Sequence, residues 1–277
     1  MMPPLKKLLQ EYYYMPDLVI WRFVEVGIVS EYFSKYYKGG TIIDIGCGDG
    51  VFGALAINGP IDIGMDLDIA ELKKQDMKNS AYKYLALANA TKMPFKNNGF
   101  KFILSNSVIE HINDLNSALH NIKSILCFGG TFILTVPSIY FLDNLLFAKL
   151  FRKVGLSNLA KVYMIRQAKR LNIKYILSAE EWRSILSKFG LSLVEYRYYM
   201  PRRAEFLYTV FFEICGFRLF KISILGIIKR VADFFGPKNY KPLKNLLINF
   251  LSFLLKDAFR ADDSRVGMGL CMVVSSV

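Results

Sequence analysis

"TIIDIGCGDG" (residues 41–50) sets three glycines and two aspartates behind a short β-branched run. Residues 41–45 read as a buried strand, and the glycines at 46, 48 and 50 read as the turn that follows it. A loop that cradles phosphate uses glycine and backbone N–H groups. A carboxylate beside a phosphate would meet like charge in a partly desolvated place. The ligand served by this turn therefore decides how the rest of the chain is read.

Two patterns compete here. Gly48-x-Gly50-x-x-Gly53 satisfies a dinucleotide-binding spacing, with Asp66 at the distance of a ribose-binding acid. That phase is late, because the chain has already turned at Gly46. Asp44-x-Gly46-x-Gly48-x-Gly50 fits the turn better, and Asp44 is its distinguishing residue. Beside a sulfonium and an α-ammonium that carboxylate is electrostatically favourable. The end of the ligand nearest the turn is expected to be cationic.

Outward from the loop, strand and helix signals alternate. Strands are expected at 61–66, 82–88, 100–106 and 130–137, and helices at 51–57, 68–79 (Asp68 as N-cap) and 113–126. Such alternation means parallel βαβ units in a doubly wound sheet of the α/β class, with ligands at the carboxyl ends of the strands. After Pro137 the pattern changes. Residues 141–172 read as basic helices, 178–190 as a helix with a Ser178…Glu181 capping box and a Gly190 stop, and 191–199 and 268–277 as strands.

On these residues the chain resembles the class I S-adenosylmethionine-dependent methyltransferases, in the small-molecule branch with a "GCGxG" loop and an "EH" motif. The resemblance covers Thr41 to Pro137 and resumes at 178–199 and 268–277. It implies a Rossmann-like methyltransferase fold with S-adenosylmethionine as cofactor. It assigns Asp44, Gly46, Cys47, Gly48 and Gly50 to the loop under the methionine part, Asp66 to the ribose hydroxyls and Leu67 to the adenine. Asn89 and Ala90 fall where the family usually has Asp-Ala facing the adenine amine. Ser105 and Asn106 end the fourth strand beside the methyl group. Glu110 and His111 follow, and His111 reads either as a structural hydrogen bond holding the turn or as the catalytic general base. Lys101 and Phe128 depart from the family pattern without touching the glycines or either aspartate.

The chain has 277 residues, a mean hydropathy of +0.28 and a net charge of +13. Residues 1–137 carry 13 basic and 13 acidic side chains, while 138–277 carry 23 and 10, so the whole excess lies in the second half. A neutral half and a basic, aromatic half imply a small ligand for one and an anionic partner for the other. The cysteines show no CxxC spacing, and no His, Cys, Asp or Glu cluster has metal-ligand spacing. The expected organisation is an N-terminal helical extension (1–40), the cofactor-binding core (41–199), an apolar and basic helical insertion (200–267) and a last core strand (268–277).

The segments 206–235 and 243–259 are apolar but broken by charge, and the longest uncharged run in the second, Asn245–Leu255, has 11 residues. A span needs about 20. Asn245, Asn249, Ser252 and Lys256 form one polar stripe there, flanked by lysines, as in a helix lying on an anionic membrane. A helix packed in a core or a dimer interface is the other reading. Tyr13 and Tyr14, with Arg202 and Arg203, are candidate substrate-binding residues. The sequence thus reads as a cytoplasmic enzyme, peripheral at the inner face of the membrane, that O-methylates an amphipathic or lipid-linked small molecule. Oxygen is favoured because the fourth strand ends in "SNSV" rather than the "[DN]PP[YF]" loop of amino-group methylation. An RNA methyltransferase and a non-catalytic scaffold are the alternatives. Nucleic acid is disfavoured because the basic residues are interleaved with Leu, Phe and Ile and no RNA-binding module stands out.

Overall fold

Ile42, Ile43 and Ile45 are buried on both sides of Asp44, so the run that opens the glycine loop occupies the middle of a sheet rather than an edge. The computed structural model describes residues 3–75, 80–216, 218–219, 222–223, 245–246, 248–255 and 266–277. They fall into two compact units. One comprises the described residues within Met1–Val24, Asp143–Tyr163 and Met200–Ser264, the other those within Glu25–Leu142, Met164–Tyr199 and Arg265–Val277.

The second unit is built on a seven-stranded sheet. Its strands are β1 (Ile42–Ile45), β2 (Ile61–Asp66), β3 (Tyr82–Leu87), β4 (Phe100–Asn106), β5 (Leu126–Pro137), β6 (Leu191–Tyr199) and β9 (Gly269–Ser276), in the order β3-β2-β1-β4-β5-β9-β6. All pairs among β1 to β5 are parallel, and β9 runs antiparallel to both of its neighbours. The order reverses between β1 and β4, which makes the carboxyl ends of those strands the place for a ligand. The helices are α3 (Val51–Ala56), α4 (Ile69–Leu72), α5 (Leu115–Ile125) and α8 (Ala179–Ser187). Asp68 and Asp114 cap α4 and α5 through their carboxyl groups, and Ser178 with Glu181 forms the capping box of α8. Leu119, Ile122, Trp182 and Leu186 carry the apolar faces of α5 and α8 into one core with the strands.

Two boundaries differ from those read in the sequence. β5 starts at Leu126 rather than 130, because Leu126 already pairs with Phe100 before the register shifts between Phe100 and Phe102. Gly129, with φ of +65°, lies inside this irregular strand rather than in a loop before it. The helix expected over 68–79 is described only as Ile69–Leu72, and residues 76–79 lie outside the described residues.

In the first unit, α1 (Pro3–Tyr12) and the beginning of α2 (Pro16–Tyr36) accompany α6 (Leu146–Lys153), the start of α7 (Ser157–Arg170), α9 (Arg202–Gly216) and an antiparallel pair of short strands, β7 (Arg218–Leu219) and β8 (Ile222–Ser223). Residues 245, 246 and 248–255 are helical. Most of 217–244 and all of 256–265 lie outside the described residues, so the expected helices over 206–235 and 243–259 are described only in part. No helix among the described residues is long and apolar enough to cross a membrane.

The second half of α2 belongs to the sheet unit. Phe33 meets Phe102 edge-on at 5.1 Å, Glu31 takes both terminal nitrogens of Arg197, and Glu195 accepts from Lys35 at 2.6 Å and Tyr36 at 2.5 Å. The bonds from Arg197 hold the Glu31 carboxyl below its ordinary range, and those from Lys35 and Tyr36 do the same for Glu195. A depressed folded-state value contributes stability above the ordinary carboxylate range and loses it as pH falls through the folded value. Thermal denaturation should therefore show a Glu31→Gln, Glu195→Gln variant melting about 1–3 °C below wild type near neutrality. The difference should vanish in acid; an equal deficit at every pH would disprove the linkage.

Candidate active site

The glycine loop is shaped by what lies behind it. Gly46, Gly48 and Gly50 have φ of +78°, +54° and +79°, the left-handed region that side chains rarely adopt. At Gly46 space decides as well as angle, since a Cβ there would stand 2.2 Å from the Val108 side chain. The amides of Gly46 and Cys47 both donate to the Met65 carbonyl, at 2.7 and 3.0 Å, tying the loop to the end of β2. The Gly48 amide donates to Asp66 Oδ2 at 2.8 Å, and Asp66 Oδ1 accepts from the Asp68 amide at 2.8 Å. A carboxylate offers about four lone-pair positions, so both Asp66 oxygens keep capacity for hydroxyl donors.

Asp44 is only 2% exposed, and its Oδ2 accepts from the Tyr82 hydroxyl at 2.6 Å. Burial, and then Asp44 itself, push the Tyr82 phenol well above its ordinary range, so it stays a proton donor to the carboxyl. Gly53 makes this contact feasible: a Cβ there would lie 2.0 Å from the Tyr82 hydroxyl and 2.8 Å from Asp44 Oδ2. Gln75 completes the underside, donating to the Gly48 carbonyl at 2.7 Å. Burial and the nearby Asp44 raise the Cys47 thiol, which keeps it a neutral, small apolar side chain.

Leu67 stands 69% exposed just past β2, and Leu87, partnered with Asp66 in register, is exposed at the end of β3. Asn89 is exposed, and its Oδ1 accepts from the amide and hydroxyl of Thr91 at 2.9 and 3.0 Å; Ala90 is buried beneath it. The amide group that remains to Asn89 is a donor. Ser105 is buried and donates to the Ile45 carbonyl at 3.2 Å.

Asn106 leads to a group that sequence reading passed over. Its Nδ2 donates to Glu25 at 3.1 Å, and Glu25 also accepts from Ser107 at 2.8 Å, Thr135 at 3.1 Å and Tyr199 at 2.8 Å. Glu25 is fully buried. In the sequence it only interrupts an apolar stretch. The signal was its phase: Trp21, Glu25, Ile28, Val29 and Tyr32 share one stripe of α2, and all are buried. Tyr82 and Gln75 gave no comparable signal.

His111 ends a single 3-10 turn, Ile109–His111, that follows β4. Its Nδ1 lies 3.2 Å from the Asn172 carbonyl and its Nε2 lies 3.7 Å from Glu110 Oε1. A carbonyl only accepts, so Nδ1 carries a proton in this contact, which fixes the orientation of the ring. Asp44, the loop, Asp66, Leu67, Asn89, Ala90, Ser105, Asn106 and His111 all lie in the sheet unit, at or just past the carboxyl ends of β1 to β4. Tyr13 and Tyr14, edge-on at 5.3 Å, and Arg202 and Arg203, exposed at the start of α9, belong to the other unit.

The model of a methyltransferase domain matches residues 26–196, well over half of the chain. The chain belongs to this family. An uncharacterized protein of Methanocaldococcus jannaschii is 26% identical to this methyltransferase over 216 residues, 78% of this chain and 80% of that one. An uncharacterized methyltransferase of Mycobacterium bovis is 31% identical over 93 residues, 32% of this chain; the match spans about half (47%) of that relative's length. Among solved structures, an S-adenosylmethionine-dependent methyltransferase of Thermotoga maritima superposes with a TM-score of 0.53 at 16% identity, covering 99% of this chain and 98% of that one, a likeness of fold.

S-adenosylmethionine is the cofactor, and the residues fit it. Gly48 has no atom within 4 Å of where a Cβ would stand, leaving open space above the turn. A buried carboxyl lies beneath that turn, and a second one with spare lone pairs lies beside it. Asp66→Ala should weaken cofactor binding at least about tenfold in titration calorimetry, through lost charge-assisted bonds of roughly 1.5–3 kcal/mol each. Unchanged affinity would remove Asp66 from the site.

Proposed function

We propose that this methyltransferase O-methylates an amphipathic, lipid-linked acceptor at a membrane surface, with His111 as general base. S-adenosylmethionine supplies a methyl group made electrophilic by its sulfonium. The reading is supported by the place and orientation of His111: it follows the end of β4, the Asn172 carbonyl holds its Nδ1–H at 3.2 Å, and the proposed role has Nε2 take a hydroxyl proton. Nε2 lies 3.7 Å from the carboxyl of the buried Glu110. Asp44 and the loop hold the amino-acid end of the donor, Asp66 and Leu67 its nucleoside, and Ser105 and Asn106 close the strand end beside the methyl. Arg202 and Arg203 are assigned to an anionic group on the acceptor, and Tyr13 and Tyr14 to its apolar part.

The membrane half of the reading is supported by the helix at 245–255, where Phe250 and Phe253 are exposed while Ile248, Leu251 and Leu255 are buried. Exposed aromatic rings on a helix flanked by lysines suit a lipid interface better than an RNA groove. The acceptor is found by incubating lipid extracts with labelled methyl donor and identifying the labelled product. With that acceptor, His111→Ala should lower turnover by roughly 10²–10⁴ while leaving S-adenosylmethionine affinity unchanged. Full activity would remove His111 from the chemistry, and label appearing only in RNA would overturn the lipid reading.

A further inference from the structure

The connection between α6 and α7 is unlike an ordinary surface loop. α6 ends in Val154, Gly155 and Leu156, with Gly155 at φ of +80°. The Gly155 amide donates to the Arg152 carbonyl at 3.0 Å and the Leu156 amide to the Phe151 carbonyl at 2.7 Å. This doubly bonded helix end consumes its own carbonyls. The Leu156 carbonyl is used in turn by the Ala160 amide at 3.1 Å, opening α7. A turn whose backbone groups bond one another can leave bulk water at little cost.

Its side chains point the same way. Val154 is 59% exposed and Leu156 51%, and Leu150 and Leu159 on the flanking turns are exposed as well. Such residues commonly fold inward at a helix end of this kind. The opposite side of the hairpin is anchored: Lys149 and Asn144 bind Glu205 of α9, and Tyr163 binds Glu213. Phe147, Phe151 and Tyr163 form a ring cluster with centroids 6.0–6.1 Å apart. The apolar tip is thus presented outward by a braced base.

Charge selects the occupant. From Leu146 to Tyr163 there are four Lys and Arg and no Asp or Glu; Lys149 and Arg152 pair with Glu205 and Asp143, and Lys153 and Lys161 are exposed. A second copy of this chain would bring the same positive charge to the contact. A nucleic acid would suit the charge but not an exposed leucine and valine tip. We propose that the α6–α7 tip inserts into the headgroup region of an anionic bilayer, with Lys153 and Lys161 as part of a basic collar around it. The inference rests on the membrane-surface reading above and assigns the contact to a segment different from the helix at 245–255.

The full chain is floated with vesicles of phosphatidylcholine alone and of phosphatidylcholine mixed with phosphatidylglycerol. Wild type should float with the anionic vesicles only. Lys153→Gln with Lys161→Gln should weaken partitioning roughly 25-fold, at about fivefold per basic residue. Val154→Asp with Leu156→Asp should abolish it, and both pairs should keep wild-type S-adenosylmethionine affinity, which reports the fold. If both pairs float as wild type does while Phe250→Glu with Leu254→Glu sinks, this inference is wrong and the membrane reading stands. If wild type itself stays at the bottom, both fall. Loss of a dimer in sedimentation velocity, or of RNA binding, with vesicle binding unchanged would also overturn it.

Discussion

A carboxyl group shut away from water must find its donors inside the protein, and the donors of Glu25 come from three separate strands. Asn106 and Ser107 sit at the end of β4, Thr135 in β5 and Tyr199 at the end of β6, while Glu25 itself rides on α2. Ser107 holds φ of +51°, an angle that a serine keeps only when its surroundings insist, and both its amide and its hydroxyl are engaged, by Thr135 and by Glu25. The position of the fourth strand's end, and with it the entry to the turn carrying Glu110 and His111, is therefore set by a residue some eighty positions earlier. Without that anchor the cofactor loop could form while the end of β4 and the turn after it stayed loose.

The glycine loop obeys the same logic on the other side of β1. Tyr82 supplies the hydroxyl that Asp44 needs, Gly53 supplies the room for it, and the bonds to Met65 and Asp66 fasten the loop to β2. Two buried or half-buried carboxyls are thus pre-positioned before any ligand arrives. Preorganisation of this kind spares the reaction the cost of arranging charge at the moment it is needed.

The legible part of this molecule was the part governed by period and punctuation. The strands 61–66, 100–106 and 191–199 stand where alternation of strand and helix signals put them, and Asp68, Ser178 and Gly190 cap or stop helices as their types require. The loop residues were legible because glycine at fixed spacing has few other uses. Tyr82 was not, because its role depends on β3 lying beside β2, which no local pattern encodes. Glu25 was half legible: its place on the stripe was visible, but an acid in an apolar phase reads as an error until its donors are known. The start of β5 was misplaced since the paired glycines at 129 and 130 look like a loop when taken alone.

One feature of the sheet bears on how the chain comes to be folded at all. β9 lies between β5 and β6, pairs with both, and is buried along almost its whole length. Among the described residues β6 has no other neighbour in the sheet. During synthesis β5 must therefore wait as an open, apolar edge while more than a hundred residues emerge, including the whole basic and aromatic stretch. Sheet closure is thus a late event with long-range contacts, the kind that folds slowly and leaves an edge available for wrong pairings. The cofactor loop is translated long before that closure, so the first half of the sheet must hold its shape with one apolar edge uncovered until the last strand arrives.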